Sequence, residues 1–586
     1  MKPAEKTEKE KCRRRKKLKI LFLAVNSSYS HTMLSYGYIR RALENRGYSD
    51  DWIFKEYTLK DNPDNICTDI LETEPDVILS TVYLFNREFI TDILTTAVMI
   101  MPELTIFLGG PEFLGSNERF LRENSFADAV IRGDESSLYQ LLENYKNPHL
   151  WNGIKGVCTI INNIYYDYGT AVFDELSDIS ASPYYPELIT GGKPFMQLET
   201  TRGCRGRCAF CTSAVSEYRE VMLPGKIRSN LKKLRQAGYK EIRIVDRTFN
   251  DNNPRAAEIL NMFLNEFPDM RFHLELNPAF LSAPLLEIIK ASPRGMLHIE
   301  VGIQTLDKNV SRRVSRFGNV EKSLQGLKIL CELPNIEVHA DLIAGLPEQT
   351  VESIFSDIYR IVKLMPAELQ LELLKVLNGT PITGQLTAPE YSYLPKPPYT
   401  VIRTPSMTFK ELLTAKRISK IIDGYYNTDC LKSIFRFLTL KYTSFLNDFT
   451  QFYSERNRAN KKMQLSERFK ILKEFIAGYD DCKACDLLKF SWLAAGLQIS
   501  SYNIKSISGI PEYDSELIWK REKNITSKRY YTVSFNWNAG EIWADSNTEI
   551  RKGKNLYLFR LAYGNLPASI SKITDNGTVS LLNKSC

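Results

Sequence analysis

Two successive alternations of short apolar runs with amphipathic stretches constrain this chain most, one from Leu18 to about residue 135 and one from residue 195 to about residue 385. Short β-branched and aliphatic runs suit buried strands, while apolar positions three and four apart suit one face of a helix. A strand reaches a parallel neighbour only through a crossover, usually helical, so strands that alternate with helices predict parallel sheets. The sequence therefore predicts an α/β protein with two parallel sheets in tandem.

In the first alternation the strand candidates are Leu18–Val25, Trp52–Leu59, Asp76–Leu84, Thr105–Gly109 and Asp128–Arg132, with helices over Met33–Asn45 and Glu88–Met101. This is the pattern of a doubly wound, Rossmann-like sheet, whose ligands sit at the carboxyl ends of the strands. Two further runs, Gly156–Ile161 and Ile164–Val172, flank Asn162 and Asn163 and predict a hairpin with a tight turn. A Pro- and Gly-bearing linker, Ser182–Lys193, follows. The second alternation places strands at Phe195–Thr200, Glu241–Asp246, Arg271–Leu276, His298–Gly302, Ile336–Ile343 and Leu369–Val376. Six strand and helix units suggest a partial (β/α)6 barrel, with its chemistry at the C-terminal ends of the strands.

Beyond Pro397 the pattern changes: residues 408–500 read as helical and aromatic-rich, and 529–583 as short strands. The expected plan is a disordered basic tail over 1–17, a doubly wound domain over 18–150, a hairpin and linker over 151–193, a barrel over 194–396, and a mainly helical C-terminal domain over 397–586. No motif in that last domain translates into chemistry.

Several function classes are disfavoured. The best apolar stretch, Phe89–Gly110, is broken by Asp92, Pro102 and Glu103, so no transmembrane helix is expected. No apolar h-region follows the basic start, which excludes a secretory signal and leaves a cytoplasmic location as the expectation. The first 17 residues hold nine Lys or Arg against three Glu, and they account for +6 of the net charge of +8. The body is nearly neutral, so a nucleic-acid partner is disfavoured.

Eleven cysteines in an unsecreted chain do not make a disulfide framework. Cys12, Cys67, Cys158, Cys331, Cys430 and Cys586 are isolated. Cys482 and Cys485 form a C-x2-C pair, readable as a redox pair, an added metal site or two ordinary thiols. The segment Arg202–Cys211 reads RGCRGRCAFC and sets Cys204, Cys208 and Cys211 in C-x3-C-x2-C spacing just after the first barrel strand. Three thiolates on one loop can hold three irons of a cubane cluster and leave the fourth open. The alternatives are a zinc site, which would need a distant fourth ligand, or idle thiols.

On these residues the chain resembles the radical S-adenosylmethionine superfamily, in which the open iron chelates the amino and carboxylate groups of S-adenosylmethionine and reduction yields a 5'-deoxyadenosyl radical. The resemblance continues through VGIQT (Val301–Thr305), DLIAGLPEQT (Asp341–Thr350) and LKVLNGTPI (Leu374–Ile382), similar to the later strands of the coproporphyrinogen-dehydrogenase-like branch. It implies that Phe210 lies beside the adenine and that Glu275, Gln304, Arg316 and Asp341 hold S-adenosylmethionine. Asp246, in VDRTFN, stands where many members carry two glycines and a Glu, and it is expected at the methionyl amino group. The residue types agree, since an Arg fork pairs with a carboxylate and acids or amides suit ribose hydroxyls.

The order of doubly wound sheet, hairpin and barrel resembles the cobalamin-dependent branch of that superfamily. Matching features are GGPE (Gly109–Glu112) and RGDES (Arg132–Ser136) at strand ends, where glycine lets the backbone approach a bulky ligand. The resemblance implies cobalamin beside Gly109 and Gly110, with Ser80 and Thr81 toward its nucleotide tail. His31 stands where free-standing cobalamin domains carry their cobalt ligand, but Tyr29 and Leu34 replace that motif's Asp and Gly; a helix-start role for His31 is the alternative.

The expected cofactors are thus a 4Fe-4S cluster, S-adenosylmethionine and cobalamin, with an external electron donor such as flavodoxin or ferredoxin. The expected activity is methylation of an unactivated carbon, or of phosphorus, in a small-molecule or peptide substrate. A cobalamin-assisted rearrangement, or a sensor that holds the cofactors without turnover, are the alternatives. No catalytic side chain is assigned.

Overall fold

The computed structural model describes residues 17–582 except 173–181, 190–191, 458–461, 498–529, 546–548, 550, 564–565 and 574–578. The expected basic tail, apart from Lys17, lies outside the described residues, as do Cys12, Cys586 and parts of the last strand region. The chain divides into two compact units, one of residues 1–336, 345–348 and 373–408, the other of 337–344, 349–372 and 409–586.

The first unit opens with β1 (Lys19–Asn26), α1 (Leu34–Asn45), β2 (Asp51–Thr58), α2 (Pro63–Thr73), β3 (Val77–Thr81), α3 (Arg87–Ile100), β4 (Thr105–Gly109) and β5 (Ala129–Ile131). These strands pair in parallel in the order β2-β1-β3-β4-β5. Seven of the eight residues of β1 are buried, as a strand covered on both faces requires. One face packs Phe22, Tyr36 and Leu43, and the other packs Leu23, Ile70 and Ile90. Truncating such a residue to Ala costs about 2–5 kcal/mol. Local chemistry fixes the helix ends: Asn62 caps α2 by accepting from the Asp64 amide, and Pro63 follows at the first helical position.

The expected hairpin forms β6 (Val157–Ile161) and β7 (Ile164–Asp167). Asn162 and Asn163 both take positive φ, 50° and 64°, which a two-residue hairpin turn needs. β6 pairs antiparallel with β5, so the hairpin extends the first sheet rather than standing apart from it. The strand expected to run to Val172 ends at Asp167, whose carboxylate takes the Gly169 amide at 3.0 Å.

The second alternation contributes β8 (Met196–Leu198), α4 (Pro224–Gln236), β9 (Glu241–Ile244), α5 (Asn253–Glu266), β10 (Arg271–Leu276), α6 (Ala283–Ala291), β11 (Leu297–Gln304) and α7 (Val320–Cys331) to the same unit. β8, β9, β10 and β11 pair in parallel in that order. Phe272 of β10 stacks on Phe263 of α5 with ring centres 3.9 Å apart, so His273 and Glu275 face the other side, away from the helices. β11 alternates in the same way, with Leu297, Ile299, Val301 and Ile303 buried and His298, Glu300 and Gln304 only partly so. A closed (β/α)8 barrel fills its interior with branched apolar side chains. Here the face of β10 and β11 opposite the helices carries His273, Glu275, His298, Glu300 and Gln304 instead.

The second unit begins with β12 (Glu337–Ala344), α8 (Val351–Val362) and β13 (Glu368–Leu373), again strand, helix and strand in chain order. Helices Phe409–Ile421, Asp429–Lys441, Phe445–Arg456, Leu465–Ile476 and Cys482–Ala494 follow, then an antiparallel sheet of four strands between Tyr530 and Leu581. The mainly helical reading of this region holds. Among the described residues no helix is long and apolar enough to cross a membrane.

Candidate functional site

The cysteine loop leaves β8 through Thr200–Arg202 and is braced from below. Asp246, fully buried, accepts the Thr200 amide at 2.7 Å and the Thr201 amide at 3.0 Å, and also takes the Thr200 hydroxyl. Buried Arg255 bonds the Thr200 carbonyl at 3.2 Å and the Met222 carbonyl at 2.9 Å. Asp246, expected at the methionyl amino group, is thus engaged by the backbone that presents the cysteines. Burial pushes its carboxyl up, and the Thr200 and Thr201 bonds oppose that.

Gly203 turns the chain at φ +67°, and a Cβ there would stand 2.2 Å from the Glu217 carbonyl oxygen, so only glycine fits. Cys204, Cys208 and Cys211 are all reduced; Cys208 is buried and the other two are partly exposed. Donors point at the sulfurs: the Gly206 amide lies 3.3 Å from Cys204 Sγ, and Arg316 Nη1 lies 3.6 Å from Cys208 Sγ. The Cys211 amide donates to the Cys208 carbonyl at 3.0 Å and closes the turn that carries half-buried Phe210. Burial pushes the Cys204 thiol up, while Gly206 and Thr248 pull it down.

Three thiols on one rigid loop with N–H donors around them suit a cubane cluster. Among the described residues no three His, Cys, Asp or Glu side chains are arranged to share a single metal ion. A cubane does not require that, because each thiolate takes its own iron.

Beside the loop the structure gathers Gln304 and Arg316. Gln304 ends β11 at φ +67°, a strained conformation for a residue with a side chain. A Cβ on Gly302 would lie 2.4 Å from Gln304 Nε2 and 3.5 Å from Arg316 Nη2, and Arg316 also bonds the Gly302 carbonyl. Gly302 is therefore the space these two side chains occupy. Glu275 faces Arg247 at 3.8 Å, and burial and Glu300 raise its carboxyl against the pull of Arg247. In the second unit, Asp341 lies on β12 with its carboxylate 3.2 Å from His339 Nε2.

On the first sheet, Gly109 opens onto free space, whereas at Gly110, with φ +111°, a Cβ would stand 2.5 Å from the Val82 carbonyl oxygen. Thr81 Oγ1 pairs with Ser35 at 2.8 Å, and the Ser80 hydroxyl is buried and donates to the Leu23 carbonyl at 2.7 Å. The His31 Nδ1 is 3.0 Å from the Ser28 hydroxyl and its ring meets Phe195 edge-on. Burial, Arg243 and Lys193 lower its pKa.

Sequence reasoning missed the residues where the two sheets meet. Arg202 reaches Glu135 of the RGDES segment at 2.9 Å, Asp134 at 3.3 Å and Glu199 at 2.9 Å. Tyr83, just past β3, sits among Glu135, Arg247, Glu199 and Arg202, and burial pushes its phenol up to about 12. The signal available was the charge in RGDES and in LETTRGC, which no spacing rule connects. Glu112 of GGPE is buried and held by Arg87 at 3.1 Å and Tyr399 at 2.6 Å, a structural role.

Known families and structures are similar to successive parts of this chain. Residues 20–142 match the B12 binding domain, residues 198–358 the Radical SAM superfamily, and residues 389–509 a family described as a protein of unknown function (DUF4080). The tRNA-2-methylthio-N(6)-dimethylallyladenosine synthase of Protochlamydia amoebophila is 27% identical over 28% of this chain and 38% of its own length. The ribosomal protein uS12 methylthiotransferase RimO of Hydrogenovibrio crunogenus is 22% identical over 38% of this chain and 52% of its own. The chain thus spans about half or less of these two curated relatives.

Among solved structures, the radical S-adenosylmethionine methyltransferase TsrM from Kitasatospora setae, with cobalamin and a [4Fe-4S] cluster bound, superposes with a TM-score of 0.55 at 16% identity, over 66% of this chain and 83% of that one. The cobalamin-dependent S-adenosylmethionine radical enzyme OxsB, with aqua-cobalamin and S-adenosylmethionine bound, gives 0.54 at 14% identity, over 83% and 74%. At such identities the likeness is one of fold.

Proposed function

We propose that this chain, a radical S-adenosylmethionine protein with a B12-binding domain in front, is a cobalamin-dependent methyltransferase acting on an unactivated carbon, or on phosphorus, of a small-molecule or peptide substrate. The observation that carries the reading is that strand-end loops of both sheets converge within one compact unit, Tyr83 and Glu135 from the first and Arg202 and Arg247 from the second. Ligands of such sheets bind at those ends. Two cofactors held there would flank one substrate.

The residues divide the work. Cys204, Cys208 and Cys211 hold the cluster, with Gly206 and Arg316 donating toward two of the sulfurs. Gln304 and Arg316, joined by Glu275 and Phe210, hold S-adenosylmethionine, and Asp246 acts through Thr200 and Thr201. Gly109, Gly110, Ser80 and Thr81 border cobalamin, and His31 is tested as its cobalt ligand by whether His31→Ala changes the cobalt spectrum. When bound, the cluster and S-adenosylmethionine supply a hydrogen-abstracting 5'-deoxyadenosyl radical, and cobalamin supplies the methyl carrier. The protein's part is alignment of the substrate between them. Electrons come from a flavodoxin- or ferredoxin-like donor in a reducing compartment such as the cytoplasm.

Anaerobically reconstituted protein, reduced with dithionite and given S-adenosylmethionine and hydroxocobalamin, tests this. It is expected to form 5'-deoxyadenosine, and S-adenosylhomocysteine only when cobalamin is present. Deoxyadenosine alone would favour a rearrangement. Neither product would overturn the enzyme reading in favour of a sensor.

A further inference from the structure

Arg202 is two residues from the first cluster cysteine, and its guanidinium is shared between Glu199 of its own loop and two acids that follow the first sheet's β5. Nε and Nη2 grip Glu199 at 2.9 and 3.2 Å, and Nη1 reaches Glu135 at 2.9 Å and Asp134 at 3.3 Å. Its side chain is only 16% exposed, and the guanidinium carbon lies 5.2 Å over the ring of buried Tyr38. One cation thus serves three carboxylates in a mostly dehydrated place, where breaking such a pair costs far more than at the surface.

Both ends of this bridge are stiff. On the cluster side, Thr201–Arg202 pair antiparallel with Arg219–Glu220, and Gly203 is wedged against the Glu217 carbonyl. On the other side, Gly133 at φ +97° would place a Cβ 2.3 Å from the Ala171 carbonyl oxygen, and the Asp134 amide donates to that oxygen at 3.0 Å. A shift of either loop is therefore carried to the other through the guanidinium rather than absorbed locally.

We infer that Arg202 is a positioning residue that couples the two cofactor sites, so that an assembled cluster tightens cobalamin binding and bound cobalamin in turn favours the assembled cluster loop. The inference rests on the cofactor reading above. Arg202 is assigned no contact with either cofactor; it orders the RGDES loop from the cysteine loop. Linkage makes the effect reciprocal, and coupling between sites in proteins typically amounts to about 5- to 150-fold.

The test is an anaerobic absorbance titration of the full chain with hydroxocobalamin, in cluster-free and cluster-reconstituted forms. The wild type is expected to bind about fivefold or more tightly once reconstituted, and Arg202→Gln to bind with equal affinity in both forms. Glu135→Gln breaks the bridge from the opposite side and should abolish the difference in the same way, which keeps the test open if Arg202→Gln does not fold. Arg202→Lys, which keeps the charge but loses the fork, should retain less than half of the coupling free energy. Equal affinity of both wild-type forms, or coupling that survives Glu135→Gln, would overturn the inference while leaving the cofactor reading intact. No cobalamin binding by either wild-type form would overturn both.

Discussion

Gly302→Ala tests the S-adenosylmethionine pocket without touching the cluster ligands. The added methyl would stand 2.4 Å from Gln304 Nε2, well inside contact distance, and 3.5 Å from Arg316 Nη2, at contact. Gln304 cannot yield through its backbone, which is fixed at φ +67°, so its amide must swing away. Losing a hydrogen bond to a charged ligand costs about 1.5–3 kcal/mol, which is a loss of about 10- to 150-fold in affinity. Gly302 itself lies in a strand without a positive φ, so alanine is tolerated there and stability should change by less than about 1 kcal/mol. Anaerobic calorimetry with S-adenosylmethionine on reconstituted protein reads the affinity, iron analysis confirms a loaded cluster, and a thermal melt confirms the fold. Unchanged affinity with a full cluster would refute the assignment of Gln304 and Arg316.

Replacing Cys204, Cys208 or Cys211 by Ala should in each case abolish reductive cleavage of S-adenosylmethionine, and cleavage retained by any one of them would break the cluster assignment. Gly109→Leu projects into open space and should weaken hydroxocobalamin binding at least about tenfold at an unchanged melting temperature, whereas Gly110→Ala should strain the loop against Val82 and lower the melting temperature itself. Burial raises the Asp128 carboxyl from 3.8 to about 6, against the pull of the Ile106 amide. The fold therefore favours the protonated form, and the stability this gives is complete below about pH 4 and lost as pH rises through 6. Asp128→Asn should remove that slope and be the more stable protein at pH 8 by about 1–3 kcal/mol, and unfolding midpoints at pH 5 and pH 8 that shift in parallel for both proteins would contradict it.

What the sequence made legible follows from range. The cysteine spacing, the strand runs and the Asn162–Asn163 turn are each written within about ten residues, and local pattern suffices for them. The roles of Asp246 and Arg202 are written across distance: Asp246 finds its partners 46 residues back at Thr200, and Arg202 finds Glu135 67 residues back. Its place in the family pattern made Asp246 a ligand candidate, and an Asp at a strand end looks the same in sequence whether it faces a cofactor or a pair of backbone amides. The partner of Ser80 on β3 is equally distant in sequence, since its hydroxyl is turned inward to the Leu23 carbonyl. The polar inner face of β10 and β11 was visible as alternation, but only the stacking of Phe272 on Phe263 tells which side it lines.

The bond from Tyr399 to Glu112 spans 287 residues of sequence. A ribosome adding about 5–20 residues per second needs roughly a quarter of a minute to a minute to cover that span. Over that interval Glu112 lacks the phenol that will share its burial, so this corner of the first sheet is completed only after the intervening chain has been made. Proteolysis of stalled nascent chains should find the loop after β4 open until Tyr399 has cleared the exit tunnel, and a free-standing fragment of the first sheet should inherit that same unfinished corner.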